Sequence, residues 1–209
     1  MTVDPNISPM FPLGTVLFPG AFLPLHVFEP RYRAMTQECL AGDRCFGVVL
    51  IERGSEVGGG DTRVSVGTRA TIADARELDD GRWLLGVIGV ERVRVVEWLA
   101  DEPYPRAVVD VLDEPAPSEA SRDRAAHVEG QLRRALGLWS ELGERGPPAT
   151  FDLAEDRVVA TYQMCALAPV GPADSQALLE AAGTDERLAL LETFLDDAIA
   201  LFAHRLGSG

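Results

Sequence analysis

The sequence predicts an α+β fold: a mainly antiparallel β-barrel domain over residues 1–113, followed by a C-terminal helical bundle over residues 118–209. Three observations lead to this prediction. Short segments rich in Val, Ile and aromatic residues, separated by Gly, Pro and Asp, fill the first part of the chain. In the second part, apolar residues recur every three or four positions, as on one face of a helix. The change between the two patterns is sharp and falls near residues 113–121.

The first domain is predicted to be built from short strands. The strand-like segments are 45–51, 63–73, 82–89, 92–98 and 106–112. Residues 79–81 (DDG) predict a hairpin turn, and residues 31–41 predict one helix, which Gly42 ends. The glycines at 58–60 predict a loop, since no Lys follows them and no helix begins there. Many short strands with few helices favour a closed or nearly closed barrel.

The second domain is predicted to contain four helices. Residues 113–118 (DEPAPS) predict a linker and a helix N-cap, with helix from Ser118 onward. The first helix carries an apolar stripe of Ala125, Val128, Leu132, Ala135 or Leu136, Trp139 and Leu142. The last helix repeats the pattern with Leu188, Leu191, Leu195, Ala198 or Ile199, Phe202 and Leu206. Shorter helices are predicted at about 153–167 and 173–182, between proline-rich breaks.

Charge and composition exclude several function classes. The chain has 33 acidic and 19 basic residues and a formal net charge of −14, and every basic residue other than His is Arg. Without Lys there is no P-loop lysine, no Schiff base to pyridoxal phosphate and no Ser–Lys dyad. The acidity argues against nucleic-acid binding, which depends on basic side chains neutralising phosphates.

No residue pattern predicts a metal site, a cofactor or a catalytic centre, so we expect a protein that is not an enzyme. The cysteines are predicted to be small apolar core residues in a reducing compartment: Cys39, Cys45 and Cys165. Structural roles are expected for the three histidines, His26, His127 and His204, because none belongs to a catalytic motif. A leader peptide and a membrane span are not expected, and the predicted location is the cytoplasm.

Residues 10–20 (MFPLGTVLFPG) and 23–32 (LPLHVFEPRY) form the most distinctive stretch. Its prolines disfavour a helix and predict short edge-like strands and tight turns. Glu29 and Pro30 predict a helix start, because the missing N–H of Pro costs nothing in the first turn. The stretch holds too many apolar residues for a loop that only faces water.

These residues resemble the N-terminal substrate-binding domain of Lon proteases, the LON domain. Further phrases match that family in order and spacing, among them FGVVL (46–50), VGTRATI (66–72), DGRWLLGVIGVERVRV (80–95) and PYPRA (103–107). The helical phrases DSQALLE (174–180) and TDERL (184–188) resemble the family more weakly. The resemblance covers nearly the whole chain and implies a PUA-like barrel with a helical extension.

The resemblance implies binding of unfolded or specific protein segments rather than proteolysis. Full-length Lon carries an ATPase and a Ser–Lys protease, and this Lys-free chain can hold neither. We therefore expect a stand-alone, non-catalytic LON-domain protein, an adaptor in protein quality control. The sequence leaves its oligomeric state and its partner open.

The candidate binding residues are five aromatic residues beside turns, one proline and two neighbouring charges: Phe18, Pro19, Phe28, Glu29, Arg31, Tyr32, Trp98 and Tyr104. The alternative is that most of the aromatic residues simply close the barrel, and that Glu29 and Arg31 either fasten the helix start or form rim charges.

Two other functions stay open at this point. A PUA-like fold is compatible with a small-molecule or RNA ligand, the latter held by a local cluster of Arg31, Arg33, Arg92 and Arg94. An unrecognised hydrolase is the remaining alternative, because fold does not determine function.

Overall fold

The computed structural model describes residues 6–53 and 62–208. The chain divides into two compact units, the first ending at Asp113 and the second beginning at Glu114. Among the described residues, the first unit contains six strands and one helix, and the second contains four helices. The predicted α+β fold is confirmed. The glycines at 58–60, predicted as a loop, lie outside the described residues.

The first unit consists of a β-sheet and one helix. Its elements are β1 (Ile7–Leu13), β2 (Phe22–Val27), α1 (Pro30–Ala41), β3 (Cys45–Arg53), β4 (Thr62–Glu77), β5 (Trp83–Trp98) and β6 (Arg106–Val111). The strands are ordered β2-β5-β4-β3-β1-β6, and β6 pairs again with β5. Five strands therefore close into a ring, with β2 attached at β5. The β1–β3 pairing is parallel and the others are antiparallel, so the predicted barrel is confirmed.

β5 is a single strand of 16 residues where two strands, 82–89 and 92–98, were expected. Its first half pairs with β2 and its second half with β6. Val90 lies between the halves as an extra residue, because Gly89 and Glu91 on either side of it pair with adjacent residues of β4. A β-bulge of this kind bends a strand without ending it. The expected break was therefore wrong.

The prolines of β1 do not mark an edge strand. β1 lies between β3 and β6, pairing with β6 over residues 7–9 and with β3 over residues 10–13. Each proline thus lies in a segment with one paired side, where its missing N–H can face the other way. The edge expectation was wrong for β1. It is confirmed for β2, which ends the sheet order and pairs with β5 alone among the described strands.

The local signals for the helix and the hairpin are confirmed. α1 begins at Pro30 and ends at Ala41, and the Gly42 N–H donates to the carbonyl oxygens of its last turn. At the hairpin, the Leu78 N–H donates to the Arg82 carbonyl oxygen, and Gly81 takes a φ of 78°. A positive φ of this size favours glycine, which is why the DDG sequence turns here.

The second unit contains α2 (Ser121–Glu141), α3 (Arg157–Leu167), α4 (Pro172–Glu180) and α5 (Thr184–Gly207). The two expected stripes supply much of its core. The buried stripe residues are Val128, Leu132, Ala135 and Leu136 on α2, and Leu188, Leu191, Leu195, Ile199 and Phe202 on α5. Helical periodicity therefore identified the correct buried faces.

Ser118 is not the N-cap of α2. The helix begins at Ser121, with Ala120 in the cap position and no side-chain cap. The Ser118 carbonyl oxygen accepts from the Ser121 hydroxyl at 2.7 Å, and its N–H donates to the Asp185 carboxylate at 3.2 Å. Ser118 therefore takes part in the turn before the helix through its main-chain groups, and its side chain does not cap α2.

A buried arginine holds the expected linker against the helices. Arg187 on α5 has no exposed surface, and its guanidinium donates two hydrogen bonds, of 3.0 and 3.2 Å, to the Glu114 carboxylate. Its Nε donates to the Leu178 carbonyl oxygen at 3.0 Å. The Tyr162 ring lies 4.1 Å from the guanidinium, and its hydroxyl donates to the same carboxylate. Glu114 therefore belongs to the helical unit rather than to a free linker.

The three cysteines are free thiols in different surroundings. Cys39 and Cys165 are buried, and burial raises the pKa of each thiol to about 12. Cys45 is half-buried, because it opens β3 directly after the turn at Asp43. The expected core position was therefore wrong for Cys45.

Two further features follow from the described residues alone. Their helices include none that is long and apolar enough to cross a lipid bilayer. Nor do the described residues bring three or more His, Cys, Asp or Glu side chains together in a group that could hold a metal ion.

Candidate protein-binding site

A pocket of about 270 Å³ opens in the first unit where β1, the loop after it, β2 and the start of α1 meet. Its lining is mostly apolar. The lining residues are Phe11, Leu13, Thr15, Leu23, Pro24, Leu25, His26, Val27, Phe28, Glu29 and Tyr32. The pocket is therefore built almost entirely from the proline-rich N-terminal stretch.

Stacked aromatic rings line the pocket on the side of α1. Tyr32 is buried, and its ring stacks on that of Phe11 with centroids 4.2 Å apart and an angle of 9° between the planes. Phe46 packs against Phe11 at 6.0 Å, and the Arg31 guanidinium lies 4.5 Å from the Tyr32 ring. Rings held in this way have little freedom to lose when a ligand binds.

The rim of the pocket carries one exposed aromatic ring and one ion pair. Phe28 is 50% exposed, and its ring centroid lies 6.0 Å from that of His26. The Glu29 carboxylate accepts from the Arg31 Nε at 3.1 Å, so these two charges largely offset each other. Glu29 lies two residues after the end of β2, so the alternation of side chains along that strand does not apply to it. Its side chain lines the same pocket as that of His26.

The opposite face of β2 is also apolar. Phe22 is 64% exposed, and a Cβ atom at Gly86 would lie 2.8 Å from its Cε2, so the ring rests over this glycine. Ile88, which pairs with Phe22, and Val90 are exposed as well. Pro24, two residues after Phe22 along β2, is also exposed and borders the pocket as well. β2 thus presents apolar side chains on both of its faces.

Phe18 and Pro19 lie in the turn that leads into β2. Phe18 is buried, and its carbonyl oxygen accepts from the Ala21 N–H at 3.0 Å. Pro19 is half-buried and precedes Gly20, which has a φ of 77°. Both residues therefore belong to the turn before β2, and the Phe18 side chain is buried in the interior of the first unit.

Trp98 and Tyr104 do not line this pocket. Trp98 is half-buried at the end of β5, with the Arg63 guanidinium 4.7 Å from its ring. Tyr104 is buried in the core beneath α1, and desolvation raises the pKa of its hydroxyl. The structure therefore groups Phe28, Glu29 and Tyr32 around one pocket, with Arg31 beside them, and places Trp98 and Tyr104 elsewhere.

The four arginines considered for RNA binding do not form an exposed group. Arg92 is buried, and its guanidinium donates to the Asp113 carbonyl oxygen at 3.1 Å. Arg31 is engaged by Glu29 and by the Tyr32 ring. A basic patch made from these residues is therefore incomplete.

Three further candidate residues lie on β2 and were not predicted from the sequence: Phe22, Leu23 and Leu25. The signal that could have identified them is the segment 22–27 (FLPLHV), which alternates between the two faces without a single charge. Edge strands are usually protected by charged residues, so an uncharged one indicates a binding surface.

The polar groups of the pocket are few. Thr15, His26 and Glu29 supply its polar side chains, and Glu29 is already paired. A pocket with apolar walls and few polar groups can bury aliphatic or aromatic side chains of a ligand and fix its orientation with a small number of hydrogen bonds.

Comparison with known proteins finds similarity to Lon proteases. A family model described as the ATP-dependent protease La (LON) substrate-binding domain matches residues 7–197. Lon protease 2 of Herpetosiphon aurantiacus is 30% identical over 200 residues, which cover 91% of this chain and 24% of that protein. Lon protease of Dictyoglomus thermophilum is 28% identical over 144 residues, covering 68% of this chain and 17% of that protein.

Solved structures of similar shape are Lon N-terminal domains. The Lon N-terminal domain protein from Xanthomonas campestris superposes with a TM-score of 0.63 at 25% identity, covering 90% of this chain and 97% of that one. The N-terminal domain of the Mycobacterium avium complex Lon protease gives a TM-score of 0.65 at 17% identity and covers 91% and 98%. The second comparison supports the fold alone. The chain spans about a quarter or less of the length of the curated relatives described above.

Proposed function

The chain belongs to the family of LON substrate-binding domains, and from that premise we propose that it recognises exposed apolar segments of other proteins at the pocket between β1, β2 and α1. One observation carries the proposal. Phe28 stands half-exposed at the rim of an apolar pocket whose aromatic rings are already packed in place. An exposed aromatic ring beside an apolar depression is typical of an interface anchor.

In the proposed function, this chain binds protein segments and does not degrade them. The chain binds protein segments as an adaptor in protein quality control and leaves ATP hydrolysis and peptide-bond cleavage to other machinery. Its Lys-free sequence supports this, because a Ser–Lys dyad and a P-loop lysine both need a residue type that the chain lacks. Free, buried Cys39 and Cys165 support a cytoplasmic location, since reducing compartments preserve thiols.

A matched pair of substitutions tests the binding proposal. Phe28 and Val111 are exposed to nearly the same extent, 50% and 52%, but Phe28 lines the pocket and Val111 does not. We expect Phe28→Asp to weaken binding of a permanently unfolded, alkylated protein by at least about tenfold, because a charge replaces an interface anchor. Val111→Asp should bind like the original chain. Fluorescence anisotropy measures both affinities.

The same mixture tests the absence of catalysis. Incubation with ATP and the unfolded protein should leave the latter intact on a denaturing gel. Equal affinities of the two variants would refute the pocket as the binding site, and cleavage that persists after repurification would refute the adaptor role.

A further inference from the structure

Among the described strands, β2 pairs on one side only, and the backbone groups that point to its other side can be assigned from the register. It pairs with β5 without a shift from Phe22↔Ile88 to Val27↔Trp83. The Gly89 N–H donates to the Ala21 carbonyl oxygen at 3.0 Å, which shows that Gly89 faces β2. Because antiparallel residues alternate between facing the partner and facing away, residues 23, 25 and 27 bond to β5. Residues 22, 24 and 26 point their backbone groups toward the open edge.

Pro24 fits this assignment. It occupies one of the three outward positions, so its missing N–H interrupts no bond to β5. The open edge therefore offers the N–H and carbonyl groups of Phe22 and His26 and the carbonyl group of Pro24. An extended backbone is the ligand that satisfies groups spaced in this way.

The side chains on the two faces of β2 determine which side chains an added ligand strand must have. Leu23 and Leu25 line the pocket on one face, whereas Phe22 lies exposed with Ile88 on the other. Successive side chains of an added strand would project alternately to these two faces. Both faces are apolar, so both sets of side chains in the ligand should be apolar.

The net charge of the chain indicates which ligand binds at the edge of β2, a segment of another protein or a second copy of this chain. Two copies would each bring a formal net charge of −14 to the contact, and like charges oppose association. A segment flanked by basic residues is attracted by the same field. The charge therefore selects a basic-flanked apolar segment over self-pairing.

We propose that β2 binds an extended apolar protein segment, flanked by Arg or Lys, as an additional β-strand along its open edge. This inference rests on the proposed function and specifies its mode of binding. Main-chain hydrogen bonds to residues 22, 24 and 26 supply the directionality, and the pocket beside Leu23 and Leu25 receives every second side chain.

An N-methyl scan of a peptide tests the main-chain bonds in the unaltered protein. The probe has an apolar core of about six residues, the usual length of a strand, with one Arg at each end. N-methylation removes one backbone donor at a time. We expect losses of about three- to tenfold in affinity at every second position, with little change at the positions between, since half of the N–H groups of an added strand face its partner. This alternation is independent of the register in which the peptide binds.

A pair of variants tests the same edge from the side of the protein. His26→Pro removes the outward N–H and should weaken peptide binding by about three- to tenfold, because one hydrogen bond is lost. His26→Ala also removes the imidazole but keeps the N–H, so it is the reference, and His26→Pro should bind about three- to tenfold more weakly than His26→Ala. Circular dichroism confirms that both variants are folded, and the N-methyl scan decides the matter if His26→Pro is not.

The charge prediction has its own control. The same apolar core flanked by Asp should bind at least about tenfold more weakly than the Arg-flanked peptide at low salt, and the difference should shrink as salt screens the charges. Equal affinities would overturn the basic flanks as part of the proposal.

The possible outcomes separate this inference from the function on which it rests. If no apolar peptide binds, the proposed function itself fails. Binding that N-methylation weakens equally at all positions, or not at all, would keep the proposed function and overturn strand addition. Light scattering could instead show a dimer that forms as concentration rises, that Phe22→Asp abolishes and that the peptide does not displace. That result would assign the edge to a second copy.

Discussion

At the scale of single residues, one ion pair joins a wholly buried arginine to a partly exposed carboxylate. Arg187 is wholly enclosed, and its guanidinium is satisfied by the Glu114 carboxylate, the Leu178 carbonyl oxygen and the face of the Tyr162 ring. A buried charge is tolerated only when it is paired and hydrogen-bonded. Losing one partner is therefore much more costly than losing an exposed ion pair.

Substitution of Arg187 should show this cost. We expect Arg187→Ala to lower the free energy of unfolding of the helical unit by about 3–5 kcal/mol, because it leaves the Glu114 carboxylate without its main partner. The matched control is Arg122→Ala, since Arg122 forms an exposed pair with Glu119 at 3.8 Å. The control should change stability by no more than about 0.5 kcal/mol. Urea titration followed by circular dichroism measures both, and similar losses would contradict the role assigned to Arg187.

At the scale of elements, the barrel depends on close approach of strands as well as on apolar residues. Gly67 on β4 is buried where β4 pairs with β3, and a Cβ atom there would meet the Val48 carbonyl oxygen. Backbone atoms cannot move aside as a flexible side chain can. In contrast, a Cβ atom at Gly130, within α2, meets nothing within 4 Å.

The two glycines should respond in opposite directions to the same change. We expect Gly67→Ala to destabilise the barrel by about 1–3 kcal/mol through overpacking. Gly130→Ala should stabilise the helical unit by about 0.5–1 kcal/mol, because alanine restricts the unfolded chain and favours helix. Thermal unfolding of both variants measures the difference. Two changes of the same sign would show that the space available for a Cβ atom does not determine the effect of these substitutions on stability.

Some elements were predictable and others were not, for physical reasons. Helix α1 and the hairpin after β4 depend on residues within a few positions of each other, so local sequence is enough to predict them. The single strand β5 was missed because a β-bulge looks like a break until the partner strand is known. The edge position of β2, and not of β1, likewise depends on which distant strands lie beside each.

At the scale of the whole molecule, the chain is two units whose junction falls between Asp113 and Glu114. The sequence pattern predicts that the helical domain starts at residue 118. The difference has a physical consequence, because a helical fragment that starts at 118 omits Glu114 and leaves Arg187 buried without its carboxylate.

Two fragments test where the helical domain begins. We expect residues 114–209 to fold alone as a helical unit, and residues 118–209 to be less stable by about 3 kcal/mol or more, because the charge of Arg187 is then unpaired. Introducing Glu114→Ala into the longer fragment should reduce its stability to that of the shorter one. Circular dichroism at increasing urea measures all three, and equal stability of the two unaltered fragments would favour a boundary at 118.

The sequence by itself determined the α+β class, the apolar faces of the helices, the absence of Lys-dependent chemistry and the family resemblance, because each depends on composition or on neighbouring residues. The tertiary structure decided which apolar residues form a surface. Phe18, Tyr32 and Tyr104 are buried, whereas Phe22 and Phe28 are exposed, although all five are aromatic residues near turns or strand ends. Burial depends on which distant strands and helices pack against a residue, and neighbouring sequence does not specify those partners.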